Sequence, residues 1–276
     1  MTPVTLIAAA LTFALPADAQ ELQTPALSPK AQVMQTVGVA EITVTYSSPG
    51  KRDRTVWGDL VPYGELWRTG ANRATTFETT HDLTVGGKEV PAGSYAVFTI
   101  PGEDKWEVIL NTNVEQGGTR NYDKALDQAR FKVEPAKGAD RERLTFVFAN
   151  TTAAGADLEL IWAGTKVVLP IAVDTDAIVG AGIDDFVDDA AGNITSAARY
   201  LSGEGEHERA LELITTAVTL NQSWFSLWIK AEIQHELGEH KDARKTALAA
   251  QELGNEAENF FWKERVEKAL AEWPKR

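Results

Sequence analysis

Cysteine is absent from all 276 residues. Without thiols the chain has no disulfide, no thiolate zinc site, no cysteine nucleophile and no attachment point for a lipoprotein's lipid. A basic surplus is missing too: 27 Lys and Arg stand against 40 Asp and Glu, a formal charge of −13. That balance repels phosphate backbones and anionic membranes, so no nucleic-acid partner is expected. Histidine is scarce, and of the four present only His81 precedes residue 200. A histidine-rich metal site in the first two thirds is therefore excluded, and a Ser-His-acid arrangement there would depend on His81, whose place beside an alternating strand reads as a solvated strand end. No Gly-x-Ser-x-Gly elbow is present, and Gly86-Gly87 and Gly117-Gly118 lack the Lys-Ser/Thr of a phosphate loop. No catalytic residue, metal or cofactor is expected, and the chain reads as leaning away from an enzyme.

What is present divides into three parts. Residues 4–15 are apolar, too short to cross a bilayer, and end in Pro16-Ala17-Asp18-Ala19. This reads as a cleavable secretion signal, 1–19, cut near Ala19, followed by a linker over 20–27. A periplasmic or secreted protein with no transmembrane segment in its mature form is expected, and freedom from cysteine suits an oxidising compartment. From 28 to 173 the apolar residues recur with period two: Ile42, Val44 and Tyr46 alternate with Glu41, Thr43 and Thr45. Gly86-Gly87 marks a tight hairpin, and Pro91-Ala-Gly93 leads into a strand to Ile100. About eight or nine short strands joined by turns predict an all-β antiparallel sandwich or jelly roll, with at most a short helix over 122–128.

After a second linker, 174–187, the period becomes helical and repeats. Gly205 and Gly238 are 33 residues apart, as are Ala210 and Ala243, Ile214 and Ala247, Ala217 and Ala250. This resembles the tetratricopeptide repeat, a helix-turn-helix unit of about 34 residues. Two such units are expected over 188–255, with a capping helix over 256–276, so the whole is an α+β multidomain chain. Charge divides unevenly as well, with 16 basic and 18 acidic residues in 28–173 against 11 and 20 from 174 onward. Asp184-Asp185 and Asp188-Asp189 read as carboxylates before a helix, favoured by its dipole without a cation. Trp224 and Trp228 share a helix face and read as core, as do the aromatics Phe260, Phe261 and Trp262.

The segment Tyr63-Gly-Glu-Leu-Trp-Arg-Thr-Gly-Ala-Asn72 mixes aromatic, charged and amide groups in a way that core building does not require. With Tyr46-Ser-Ser-Pro49, the basic run 51–54, Trp57-Gly-Asp-Leu-Val-Pro-Tyr-Gly64 and Ala92-Gly-Ser-Tyr95, it resembles the family called domain of unknown function 2911. The resemblance covers 28–173 and implies a secreted bacterial β domain, with no activity attached. From residue chemistry, Arg52, Arg54, Trp57, Tyr63, Glu65, Trp67, Arg68 and Asn72 form the candidate ligand site. Arginine forks suit a carboxylate or phosphate, and the rings could stack on a sugar or aromatic group. In the alternative, Arg68 pairs with Glu65 or Asp59 while Trp57 and Trp67 plug the sandwich. A binding or interaction module for a small anionic or saccharide ligand, with a peptide or protein partner at the repeats, is the favoured expectation. The competing one is a hydrolase or lyase acting on envelope carbohydrate, with Glu65 paired to Asp59, Glu78 or Asp82.

Overall fold

The computed structural model describes residues 24–274, which fall into two compact units parting after Val173. The expected secretion signal and the first residues of the linker after it lie outside the described residues.

The first unit is built from β1 (Lys30–Val37), β2 (Ala40–Ser47), β3 (Thr75–Thr79), β4 (Leu83–Val85), β5 (Lys88–Val90) and β6 (Gly93–Ile100). β7 (Trp106–Asn111), β8 (Asp127–Val133), β9 (Ala136–Lys137), β10 (Thr145–Ala149), β11 (Gly155–Trp162) and β12 (Thr165–Ala172) complete it. One sheet runs β1-β2-β3-β6-β7-β8 and the other β10-β11-β12-β4-β5, with β9 also on β12. Every pairing is antiparallel. The alternation expected of β2 places Ile42, Val44 and Tyr46 inside. Across the interior the Tyr46 ring meets Phe146 of the second sheet edge-on at 4.9 Å, and its hydroxyl accepts the Phe146 N–H at 3.2 Å. The two sheets thus share one core, as a sandwich requires.

Gly86 and Gly87 turn the β4–β5 hairpin at φ 56° and 76°, where a side chain would be strained. A Cβ on Gly86 would also lie 2.1 Å from the Phe131 ring. The strand count exceeds the expectation because β1 lies at a sheet edge, with only Val37 buried, and β9 has two residues. The short helix expected over 122–128 is a single 3-10 turn, Lys124–Leu126, because β8 already begins at Asp127. Asp127 is held there by bonds from the Tyr122 hydroxyl at 2.7 Å and the Arg130 guanidinium at 2.9 Å. Burial and the bond to Asp127 push the Tyr122 pKa up to about 12, so this network stays intact across neutral pH.

The second unit holds α1 (Thr175–Gly203), α2 (His207–Leu220), α3 (Trp224–Glu236), α4 (His240–Glu256) and α5 (Lys263–Glu272). The repeat read from spacing recurs in the packing: Ala198 and Ala231, Ala210 and Ala243, Ile214 and Ala247, Ala217 and Ala250 are all fully buried. Small side chains at equivalent positions let α1 approach α2 and α3 approach α4. Gly205 and Gly238, at φ 83° and 79°, end the first helix of each hairpin. Trp224 and Trp228 are buried as expected of core.

Two boundaries differ from the sequence reading. The linker expected over 174–187 is the start of α1, which Asp174 caps by accepting the Ala177 N–H at 3.1 Å. Asp184, Asp185, Asp188 and Asp189 therefore sit inside the helix rather than before it, and Asp188 accepts a bond from Asn221 instead of serving the dipole. The capping helix expected from 256 starts only at Lys263. Phe260, Phe261 and Trp262 occupy the break before it, where Phe260 and Phe261 pack on Trp224 at 5.1 and 4.8 Å between centroids. Among the described residues no helix is long and apolar enough to cross a membrane.

Candidate functional site

The chain between β2 and β3 is one long excursion, residues 48–74, over an end of the sandwich. Its second half is pinned to β6, with the Trp67 N–H donating to Thr99 O at 2.7 Å and the Thr99 N–H to Trp67 O at 2.8 Å. After that anchor the backbone bends sharply: Thr69 and Asn72 both adopt the left-handed region, at φ 53° and 57°. For a β-branched residue this conformation is costly, of order 1–3 kcal/mol, and it persists only where the surroundings enforce it. They do so here. Thr69 is buried, its hydroxyl meets Thr99 Oγ1 at 3.2 Å, and its carbonyl accepts from Thr75 Oγ1 at 2.8 Å. The Trp67 indole N–H closes the turn by donating to Gly70 O at 3.1 Å. Asn72 ties it to its neighbours through bonds to Ser28 O at 3.3 Å and Ser47 Oγ at 3.2 Å.

What this fixed turn presents is Arg68. The side chain is half-buried, its Nε is shut off from solvent, and no hydrogen bond to its guanidinium and no ion pair is found among the described residues. The alternative of a pair with Glu65 or Asp59 is not what forms. Gly118 leaves room beside it, since a Cβ there would stand 3.3 Å from Arg68 Nη1. Arg68 lines a cavity of about 370 Å³ together with Arg52, Arg54, Trp67 and Trp162. That volume lies in the range of small-molecule sites, about 300–1,000 Å³.

Arg54 is locked by bonds from Nε to Lys51 O at 2.9 Å and from Nη2 to Gly50 O at 2.7 Å. Arg52 donates from Nη2 to Leu27 O at 3.0 Å, drawing the segment before β1 against the cavity as a wall. No Asp or Glu is among the described residues lining the space. Beside it, Glu142 accepts the backbone N–H of Arg52 at 3.1 Å, and Lys51 is neutralised by Asp140 at 2.7 Å. That bond to Asp140 raises the Lys51 pKa. Two aromatic planes complete the site: Trp67 and Trp162 lie 21° from parallel, 6.1 Å between centroids.

Of the eight residues expected at a site, Arg52, Arg54, Trp67 and Arg68 converge. Trp57 does not line the cavity but stands edge-on to Trp67, Trp106 and Trp162 at 5.9, 4.8 and 5.7 Å, so the plug reading holds for it. Tyr63 and Glu65 are exposed and outside the lining, Tyr63 with its ring over Gly58. Asn72 holds the turn and faces a second groove with Arg73 and Glu78. Neither Asp59 nor Asp82 lines the arginine cavity. Sequence reasoning missed Trp162, Leu27, Leu60 and Val61. Trp162 ends β11, and nothing in its local pattern sets it apart from a core tryptophan.

The family model described as "Protein of unknown function (DUF2911)" matches residues 28–171, more than half of the chain. No curated protein and no solved structure matches.

Proposed function

The chain belongs to the DUF2911 family, whose function is unknown, and we propose that its β unit is a non-enzymatic binding module that takes a small anion between Arg52, Arg54 and Arg68. One observation carries this reading: Arg68 is held at the cavity by a strained turn, and its guanidinium meets no acceptor. Its Nη1 and Nη2 are left free to donate paired hydrogen bonds to an arriving anion. No Asp or Glu is among the described residues lining the space, so an anion entering it meets guanidinium donors and no carboxylate of the lining.

The remaining parts of the proposal rest on the sequence. Residues 1–19 act as a secretion signal, which places the module in the periplasm or outside the cell; mass spectrometry of the mature N-terminus from a bacterial host would reveal a cut near Ala19. The two hairpins of the second unit serve as tetratricopeptide-like repeats for a peptide or protein partner.

A thermal-shift screen of small carboxylates and phosphates tests the central claim. At least one anion is expected to raise the melting midpoint of the native chain while leaving Arg68→Ala unmoved. If every anion shifts both proteins alike, the arginine cavity is not a binding site.

A further inference from the structure

The cavity walls specify the body of the ligand as well as its charge. Nearly all the hydrogen-bonding capacity of the walls is donor. Among the described side chains that line the space, Ser28 is the sole neutral hydroxyl and no Asn, Gln, Thr, Tyr, His, Asp or Glu joins it. Both indole N–H groups already have partners, Trp67 with Gly70 O and Trp162 with Glu142 O, each at 3.1 Å. Six of the backbone carbonyls of the walls already accept a bond. Gly50 O takes Arg54, Leu27 O takes Arg52, Gly70 O takes Trp67, and Pro49 O, Val61 O and Arg68 O accept from Leu144, Gly58 and Thr75.

A saccharide brings several hydroxyl donors that need acceptors, and among the described lining side chains only the Ser28 hydroxyl is one. Each hydroxyl buried without one carries the desolvation cost of an unmade bond. What the walls expose is apolar: Leu27, Leu60 and part of Trp67, with Pro49, Val61 and Trp162 buried behind them. An inorganic ion would leave that surface wet.

The arrangement of guanidinium donors narrows the anionic group. Arg54 has Nε and Nη2 committed to carbonyls, and Arg52 has Nη2 committed. Arg68 commits none of its nitrogens, and with Nε shut off from solvent the pair that a ligand can reach is Nη1 and Nη2. One planar fork with two parallel N–H groups matches the two oxygens of a carboxylate. No lysine lines the space, and the single short helical turn of this unit, Lys124–Leu126, is not part of it, so the added donors typical of phosphate sites are missing.

We infer that the site takes a carboxylic acid with an apolar, ring-bearing body, its carboxylate on Arg68 and its ring against Trp67, Leu27 and Leu60. The inference rests on the anion-binding reading above and narrows it against saccharides and phosphates.

Isothermal titration of the full chain with phenylacetate, glucuronate, phenyl phosphate and neutral phenylacetamide separates the outcomes. Phenylacetate is expected to bind most tightly, with about tenfold or greater weakening when the carboxylate becomes an amide or when Arg68→Lys removes the fork. Leu60→Asn, at a wall position 38% exposed, supplies an acceptor and keeps the test open should Arg68→Lys fail to fold. It is expected to weaken phenylacetate and improve glucuronate. Tighter binding of glucuronate or phenyl phosphate, lost in Arg68→Lys, would overturn the inference and leave the anion site standing. Binding of phenylacetate that ignores both substitutions places it elsewhere and overturns the inference. If none of the three anions binds, both readings fall.

Discussion

Arg68 gains its character from what surrounds it rather than from its type. A guanidinium on a surface loop ordinarily finds a carboxylate or water, and its removal changes little. Here the strained Thr69 holds it where its Nε meets neither. Because no folded-state bond is lost and an unpaired buried Nε is removed, Arg68→Met is expected to leave unfolding free energy unchanged or raise it by about 1–3 kcal/mol in urea titration. A loss of 2 kcal/mol or more would mean that the guanidinium has a structural partner. Charge state gives a second check. Guanidinium stays protonated in proteins, and no histidine or acid lines the cavity, so binding of a carboxylate should be flat from about pH 5 to 9. It should fall only at lower pH, as the ligand takes up its proton. A phosphate monoester would instead show a step near pH 6, where its second proton leaves.

Secondary elements repeat one lesson at two glycines of the β4–β5 hairpin. Both have positive φ, yet a Cβ on Gly86 meets the Phe131 ring at 2.1 Å whereas Gly87 has nothing within 4 Å. Gly87→Ala is therefore expected to cost about 1 kcal/mol of backbone strain. Gly86→Ala adds overpacking of a further 1–3 kcal/mol. Equal urea midpoints for the two variants would refute the packing argument. In the helical unit Ala243 and Ala210, both fully buried, set the closeness of each hairpin. Ala243→Leu should destabilise that unit by about 1–3 kcal/mol, visible as an earlier helical transition by circular dichroism. The hairpin glycines and the repeat spacing were legible beforehand because turn chemistry and helix contact are local properties of the chain. The start of α1 was not: residues 174–187 read as linker, although Asp174 caps a helix that runs through them.

For the whole molecule, the division after Val173 is between two separate cores. Each has the size and apolar content of an independent domain. A fragment of residues 24–173 is expected to fold and to bind the same carboxylate within about twofold of the full chain, since every lining residue is contained in it. A fragment that stays unfolded would show that the β unit depends on the helices.

Sequence alone determined the two architectures, the order in which they follow one another, and the stretch from Tyr63 to Asn72 as a feature beyond core building. These follow from period, turn residues and short-range spacing, all of which act within a few residues. Tertiary structure alone decided which of eight candidate side chains share a space, that Trp162 and Leu27 join them, and that Arg68 has no carboxylate beside it. Those facts arise from segments far apart in the chain, brought together by strand pairing and by the bond from Arg52 to Leu27. No local pattern encodes which distant groups will be absent, and the chemistry of this cavity depends on an absence: a wall of donors with few acceptors.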